Sequence, residues 1–167
     1  MASNIRDAGV ADGETGVSVS RLYREMVESG VVDSDADGDA PEQKSKEVLT
    51  SVTDTLFDDD SFAFDESVVK GNLDEILLML VALRDSDTHG KGLMEDLETV
   101  FDADLSPGTV YPRLHDLDDE DLLRVQELVR TKEYRIDDDE DARDRIEEAM
   151  RQHLALGFFF YAARDEL

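Results

Sequence analysis

One change of apolar period, placed between helices, limits what this chain can fold into more than any other feature. From Glu66 to Leu117 apolar residues recur every three or four positions, the spacing of a helix face. Over Leu122 to Val129 the pattern alternates, with Leu123, Val125, Glu127 and Val129 interleaved with Arg124, Gln126 and Leu128. A turn at Arg130 to Lys132 leads into Glu133 to Ile136, which predicts a two-stranded hairpin. Helical spacing then returns from Asp139 to Arg164, with the acids of the DDDED start on the positive end of that helix.

The helices before the hairpin are legible one by one. Glu66 to Arg84 carries Leu73, Ile76, Leu77, Leu80, Val81 and Leu83, a strongly buried helix. After a turn at Asp85 to Asp87, Thr88 to Val100 places Leu93, Met94, Leu97 and Val100 on one face. Phe101 to Leu105 is a short connection. Ser106 reads as an N-cap because Pro107 follows at the first helical position, where its missing N–H costs nothing. The third helix runs to about Leu117 with Val110, Leu114 and Leu117 inward. Helix–helix–helix–hairpin–helix is the plan of a winged helix-turn-helix: mainly α with a small β-hairpin and a long C-terminal dimerisation helix. The expected division is an acidic N-terminal arm over 1–65, the winged unit over 66–138 and an amphipathic helix over 139–167.

The arm has a different texture. Ser20 to Ser29 and Pro41 to Phe57 have helical spacing, but each is too short to stand alone and must dock or stay mobile. Asp33 to Asp39 begins like a calcium loop, D-x-D-x-D-G, but the twelfth position is Lys44 where a bidentate Glu is needed. In a chain this rich in Asp such a run arises cheaply, so no metal is expected there.

A length of 167 residues suits one small core with appendages rather than two full-sized domains. With no Cys there is no disulfide, thiol nucleophile or Cys-based metal site. The formal net charge of −26 would ordinarily argue against a nucleic-acid partner. The acids are 27 Asp and 16 Glu, against 12 Arg and 5 Lys, a composition suited to a high-salt cytoplasm. At about 1 M salt the Debye length is roughly 3 Å, so repulsion beyond near-contact is screened. Net charge then reports the solvent, not the partner. A rival reading, an intrinsically acidic interaction protein or DNA mimic, stays open.

The middle of the chain carries a family resemblance. The first helix reads LDEILLMLVAL, a His89-Gly90 pair opens the second, and Leu105-Ser106-Pro107-Gly108-Thr109-Val110-Tyr111-Pro112-Arg113-Leu114 follows. These segments resemble the PadR-like winged-helix transcription regulators over roughly residues 72–137. Two departures stand out: Asp121 replaces the Gly that usually turns the chain, and the hairpin has one Tyr, Tyr134, where the family has two. A basic hairpin followed at once by an amphipathic helix also resembles the haloarchaeal activators of gas-vesicle gene clusters. The resemblance implies a DNA-binding transcription regulator with double-stranded promoter DNA as partner.

In such a fold the recognition helix presents its N-terminal residues to base edges. That nominates Ser106, Thr109, Tyr111 and Arg113, with Arg124, Arg130, Thr131, Lys132 and Arg135 of the hairpin for groove or phosphate contact. For each, the plainer alternative is a cap, a core contact or a pairing with Asp116, Asp118, Glu127 or Glu133. On the final helix Ile146, Met150, His153, Leu154, Gly157, Phe158 and Tyr161 form an apolar stripe that Phe159 and Phe160 widen. Four consecutive aromatics predict a homodimer contact, with burial within the chain as the alternative. A second functional reading is an acidic adaptor of the same fold that binds another regulatory protein.

Other chemistry is not legible. His89, His115 and His153 have no ligand spacing, and no catalytic motif is present, so neither enzyme activity nor a cofactor is expected. Met1 to Val19 lacks an apolar signal core, and the longest apolar run, Leu154 to Ala163, is half a membrane span. The expectation is a cytoplasmic protein with no membrane partner.

Overall fold

The computed structural model describes residues 41–57, 62–84 and 86–167. The Ser20–Ser29 helix, the Asp33–Asp39 run and the 1–40 part of the arm lie outside the described residues. Helix α1 is Pro41–Leu56, α2 is Glu66–Gly71, α3 is Leu73–Leu83, α4 is Gly90–Phe101 and α5 is Pro107–Asp119. Strands β1 (Leu123–Glu127) and β2 (Lys132–Ile136) form the hairpin, and α6 (Asp139–Ala163) ends in a short 3-10 turn, Arg164–Glu166. This is the expected winged helix-turn-helix plan.

Helix α3 is the centre of the core. Leu73, Leu77, Leu78, Leu80 and Val81 are buried along one side of it, and Leu93, Leu97, Val110, Leu114, Leu117, Leu123 and Tyr134 close over them. The single helix expected over 66–84 is two. Asn72 leaves helical geometry at φ −123°, and its side-chain amide donates to the Val68 carbonyl at 2.8 Å. That bond replaces a helical one, ending α2, and the Asn72 carbonyl accepts from Ile76 N to start α3.

The α3–α4 joint holds a sealed ion pair. Arg84 Nε donates to Asp96 Oδ2 at 2.6 Å and Nη2 to Oδ1 at 2.9 Å, with Asp96 fully buried. The guanidinium also donates to the carbonyls of Asp87 and Gly92. Bidentate geometry with further acceptors offsets the desolvation of both charges. A Cβ at Gly92 would lie 2.9 Å from Arg84 Nη1, so a glycine there leaves room for the pair.

The hairpin is antiparallel, with Leu123 opposite Ile136, Val125 opposite Tyr134 and Glu127 opposite Lys132. Leu128 N donates to Thr131 O at 2.8 Å, which closes the turn over 128–131. The strands therefore end two residues earlier than alternation alone indicates, because that bond leaves the exposed Val129 in the turn. A third segment joins the hairpin: Tyr134 N donates to Thr88 O at 3.0 Å, and His89 bridges Glu133. The turn from α5 into β1 uses Asp121 at φ 59°, the left-handed conformation implied by Asp in the usual Gly position.

Helix α1 packs against α4 and α3, with a chain of rings, Phe57 on Phe62, Phe62 on Phe64 and Phe64 on Phe101, continuing the contact. Among the described residues helix α6 touches the core only near its start, through Ala142 and Ile146. Among the described residues no helix is long and apolar enough to cross a membrane.

Candidate nucleic-acid interface

Helix α5 begins after Ser106, whose carbonyl accepts from Thr109 N and Val110 N. The Ser106 hydroxyl does not cap the backbone; it pairs with the Thr109 hydroxyl at 3.1 Å. With Thr109 N and Val110 N so engaged and no N–H on Pro107, the Gly108 N–H is the first-turn donor left for an anionic oxygen.

At about 100° per residue, Val110, Leu114 and Leu117 define the buried face of α5. Gly108, Pro112, His115 and Asp119 then stand on the outward face. Tyr111 and Arg113 occupy opposite flanks, about 200° apart. The Tyr111 flank meets the hairpin, and the Arg113 flank meets α3.

On the Tyr111 side lies an open cleft of about 760 Å³, whose lining includes Tyr111, Tyr134, the imidazoles of His89 and His115, and the carboxylates of Asp118 and Glu127. Three cations from two elements converge there: Lys91 at the start of α4, and Arg130 and Lys132 at the hairpin tip. Lys132 pairs with Glu127 at 3.4 Å and Lys91 with Glu95 at 3.3 Å, both exposed and easily exchanged. Among the described residues Arg130 has no ion-pair partner. The His89 ring caps α4, its Nδ1 accepting from Gly92 N at 2.9 Å, and so brings Lys91 to the rim.

The nominated residues thus divide. Tyr111, Arg130, Thr131 and Lys132 share the cleft, while Ser106 and Thr109 sit at the start of α5. Arg124 and Arg135 are opposite one another on the outer face of the hairpin, away from the cleft. Like charges so placed repel; Asp137 pairs with Arg124 and Glu133 lies 3.7 Å from Arg135. Among the described residues Asp118 pairs with no arginine, and it accepts from Val125 N. Arg113 turns to Asp74 of α3, at 3.4 Å.

Among the cleft residues not nominated from sequence are Lys91 and His115. Lys91 follows the His-Gly pair, and only the cap at His89 reveals that it stands beside Tyr111. His115 faces outward, its pKa raised first by a hydrogen bond with its own backbone and then by the Asp119 carboxylate at 3.4 Å.

A second cluster joins α3, α5 and α6. Arg145 lies 2.9 Å from Glu75, 3.7 Å from Glu120 and 3.8 Å from Asp74, and the Glu75 hydrogen bond is the main cause of its raised pKa. Burial raises the Asp74 pKa, with Arg113 the leading opposing influence.

Of the residues nominated on α6, Ile146 packs against the core of its own chain, and those from Met150 onward project from the body. Met150, His153, Gly157, Phe158 and Tyr161 are exposed, and Ile146 and Leu154 are half-buried. By helical rotation Leu154, Gly157, Phe158 and Tyr161 share one side. Phe159 and Phe160, expected to widen that stripe, stand on the opposite side with Leu156, and are 64% and 59% exposed.

Comparison with known proteins agrees with this architecture. The transcriptional regulator PadR-like family matches residues 78–141, from α3 through the hairpin into α6. Transcriptional activator GvpE1 of Halobacterium salinarum is 37% identical over 170 residues, spanning 93% of this chain and 87% of the relative. Transcriptional activator GvpE of Haloferax mediterranei is 50% identical over 88 residues, spanning 53% of this chain and 45% of that protein. With both the cleft and its scaffold inside the matched region, the chain belongs to the PadR-like family of transcriptional regulators, as a homologue of the haloarchaeal GvpE activators.

Proposed function

We propose that this chain is a transcriptional activator of the GvpE type that binds promoter DNA of gas-vesicle genes as a homodimer in a high-salt cytoplasm. The observation that carries the reading is the convergence of Lys91, Arg130 and Lys132 on the cleft beside α5. With α5 in a major groove, that cleft receives the bordering phosphate strand, and the hairpin tip reaches the backbone or the adjacent minor groove. Ser106 and Thr109 meet bases or phosphate at the helix start, and Arg124 and Arg135 serve a more distant segment of the duplex.

The largely exposed stripe of Leu154, Gly157, Phe158 and Tyr161 supports pairing through α6. A two-fold dimer reads two half-sites about one helical turn apart, which suits a pseudo-palindromic target. The second apolar side, Leu156 with Phe159 and Phe160, favours an additional contact with another regulatory protein.

A mobility shift in molar KCl with a gas-vesicle promoter duplex tests the reading. Sequence-dependent retardation supports an activator that contacts DNA. No retardation supports the acidic adaptor that acts through a protein partner alone.

A further inference from the structure

Asp74, the second residue of α3, stands between arginines from two other helices. One oxygen, Oδ2, faces both: Arg113 Nη1 of α5 at 3.4 Å and Arg145 Nη2 of α6 at 3.8 Å. The other, Oδ1, is buried and has no hydrogen-bond partner among the described residues. Charge-assisted bonds made for stability are shorter, about 2.7–2.9 Å, and a carboxylate with an orphaned buried oxygen is a costly anchor. The two arginines are not equally dependent on it. Arg145 has Glu75 at 2.9 Å and Glu120 at 3.7 Å. Arg113 has Asp74 as its ion-pair partner, at a length that leaves its exposed guanidinium easily withdrawn.

We infer that Asp74 is a positioning residue for DNA recognition: it holds Arg113 against the flank of α5 until a backbone phosphate takes the guanidinium from it. The inference rests on the proposed DNA contact of α5. On the flank away from the hairpin, Arg113 is placed for the phosphates bordering the groove rather than for base edges. When it leaves, Asp74 Oδ2 is shared no longer and belongs to Arg145. Occupying the DNA site therefore tightens the tie between α3 and α6. Engagement at the recognition helix is thereby communicated to the helix that carries the exposed apolar stripes.

A double-mutant cycle tests this, with affinities for a labelled gas-vesicle promoter duplex measured by fluorescence anisotropy in molar KCl. The proteins are the wild type, Asp74→Asn, Arg113→Ala and the double variant, with circular dichroism to establish folding. Arg113→Ala weakens binding. Asp74→Asn frees Arg113 and tightens binding by about two- to fivefold, the scale of an exposed ion pair. The same change in the Arg113→Ala background has no effect, and Asp74→Glu restores wild-type affinity. If Asp74→Asn does not fold, Asp74→Ser takes its place in the cycle.

An equal gain in both backgrounds overturns the inference, since it reports only the removal of a negative charge. So does an unchanged or weakened Asp74→Asn, or an Arg113→Ala variant that binds like the wild type. A wild type that does not bind the duplex overturns DNA contact itself and the inference with it. Binding without background dependence overturns the inference alone.

Discussion

The ring of Tyr111 occupies the space that a side chain at Gly90 would need: a Cβ there would lie 2.5 Å from Cε1 and 2.8 Å from the phenol oxygen. The glycine of the His-Gly pair therefore keeps one wall of the cleft flat. Gly90→Ala forces the half-exposed ring outward. The expected cost is about 1 kcal/mol, the low end for overpacking because the ring has solvent to move into. Chemical denaturation measures that loss, and duplex affinity falls with it as the cleft changes shape.

Arg130→Ala combined with Lys132→Ala removes two of the three cations on the cleft while leaving the buried residues of the hairpin intact. Promoter binding in molar KCl is expected to be abolished, with the thermal midpoint nearly unchanged. Retained binding in a mobility shift would remove the hairpin tip from the interface.

Asp96→Ala leaves the Arg84 guanidinium buried without its carboxylate. Breaking a buried pair in this way costs about 3–5 kcal/mol, whereas replacing both partners with apolar residues of similar size costs much less. Denaturation at two KCl concentrations should give the same difference between Asp96→Ala and wild type, because screening acts on exposed charges. A salt-dependent difference would argue against a sealed pair.

His115 titrates above its ordinary 6.5 in the folded protein. The stabilisation from its protonated form is complete below 6.5 and disappears as pH rises through the raised folded value. Duplex affinity should fall over the same window, because the cleft loses a positive charge. Imidazole NMR shifts give the midpoint, and Asp119→Asn should lower it.

Leu154→Glu with Phe158→Glu places charge in the distal stripe of α6, where both side chains already meet solvent. The variant is expected to stay helical and sediment as a monomer. Loss of two-site engagement should weaken binding to the paired site by about a hundredfold. A dimer that survives both changes would exclude this stripe as the contact.

Much of the fold was legible because its signals are local. Ser106-Pro107 marks the start of α5 whatever surrounds it. Asp121 in a glycine position correctly indicates a left-handed turn. The break at Asn72 was hidden because it depends on one amide reaching one carbonyl inside an otherwise continuous apolar pattern. The hairpin ended early because alternation persists through Leu128 and Val129, while the Leu128–Thr131 bond decides where the turn falls. The site was less legible than the fold for a geometric reason. A run of bases from Arg124 to Arg135 looks like one patch in sequence, yet strand alternation puts Arg124 and Arg135 on the face opposite Lys132. Lys91 joins the cleft only through the docking of α4 beside the hairpin. Arg113 is diverted by Asp74, which lies 39 positions away.

The short joint between hairpin and terminal helix sets a mechanical phase. Asp137 N donates to Leu122 O, and the Asp138 side chain caps α6 through Glu140 N and Asp141 N, so no slack separates the two. The cleft beside α5 and the apolar stripe behave as marks on one shaft. Deleting a single residue along α6 would turn the stripe by about 100° relative to the cleft, whereas removing seven would misalign it by only about 20°. The spacing and facing of two DNA-reading heads would then be written into the register of one helix.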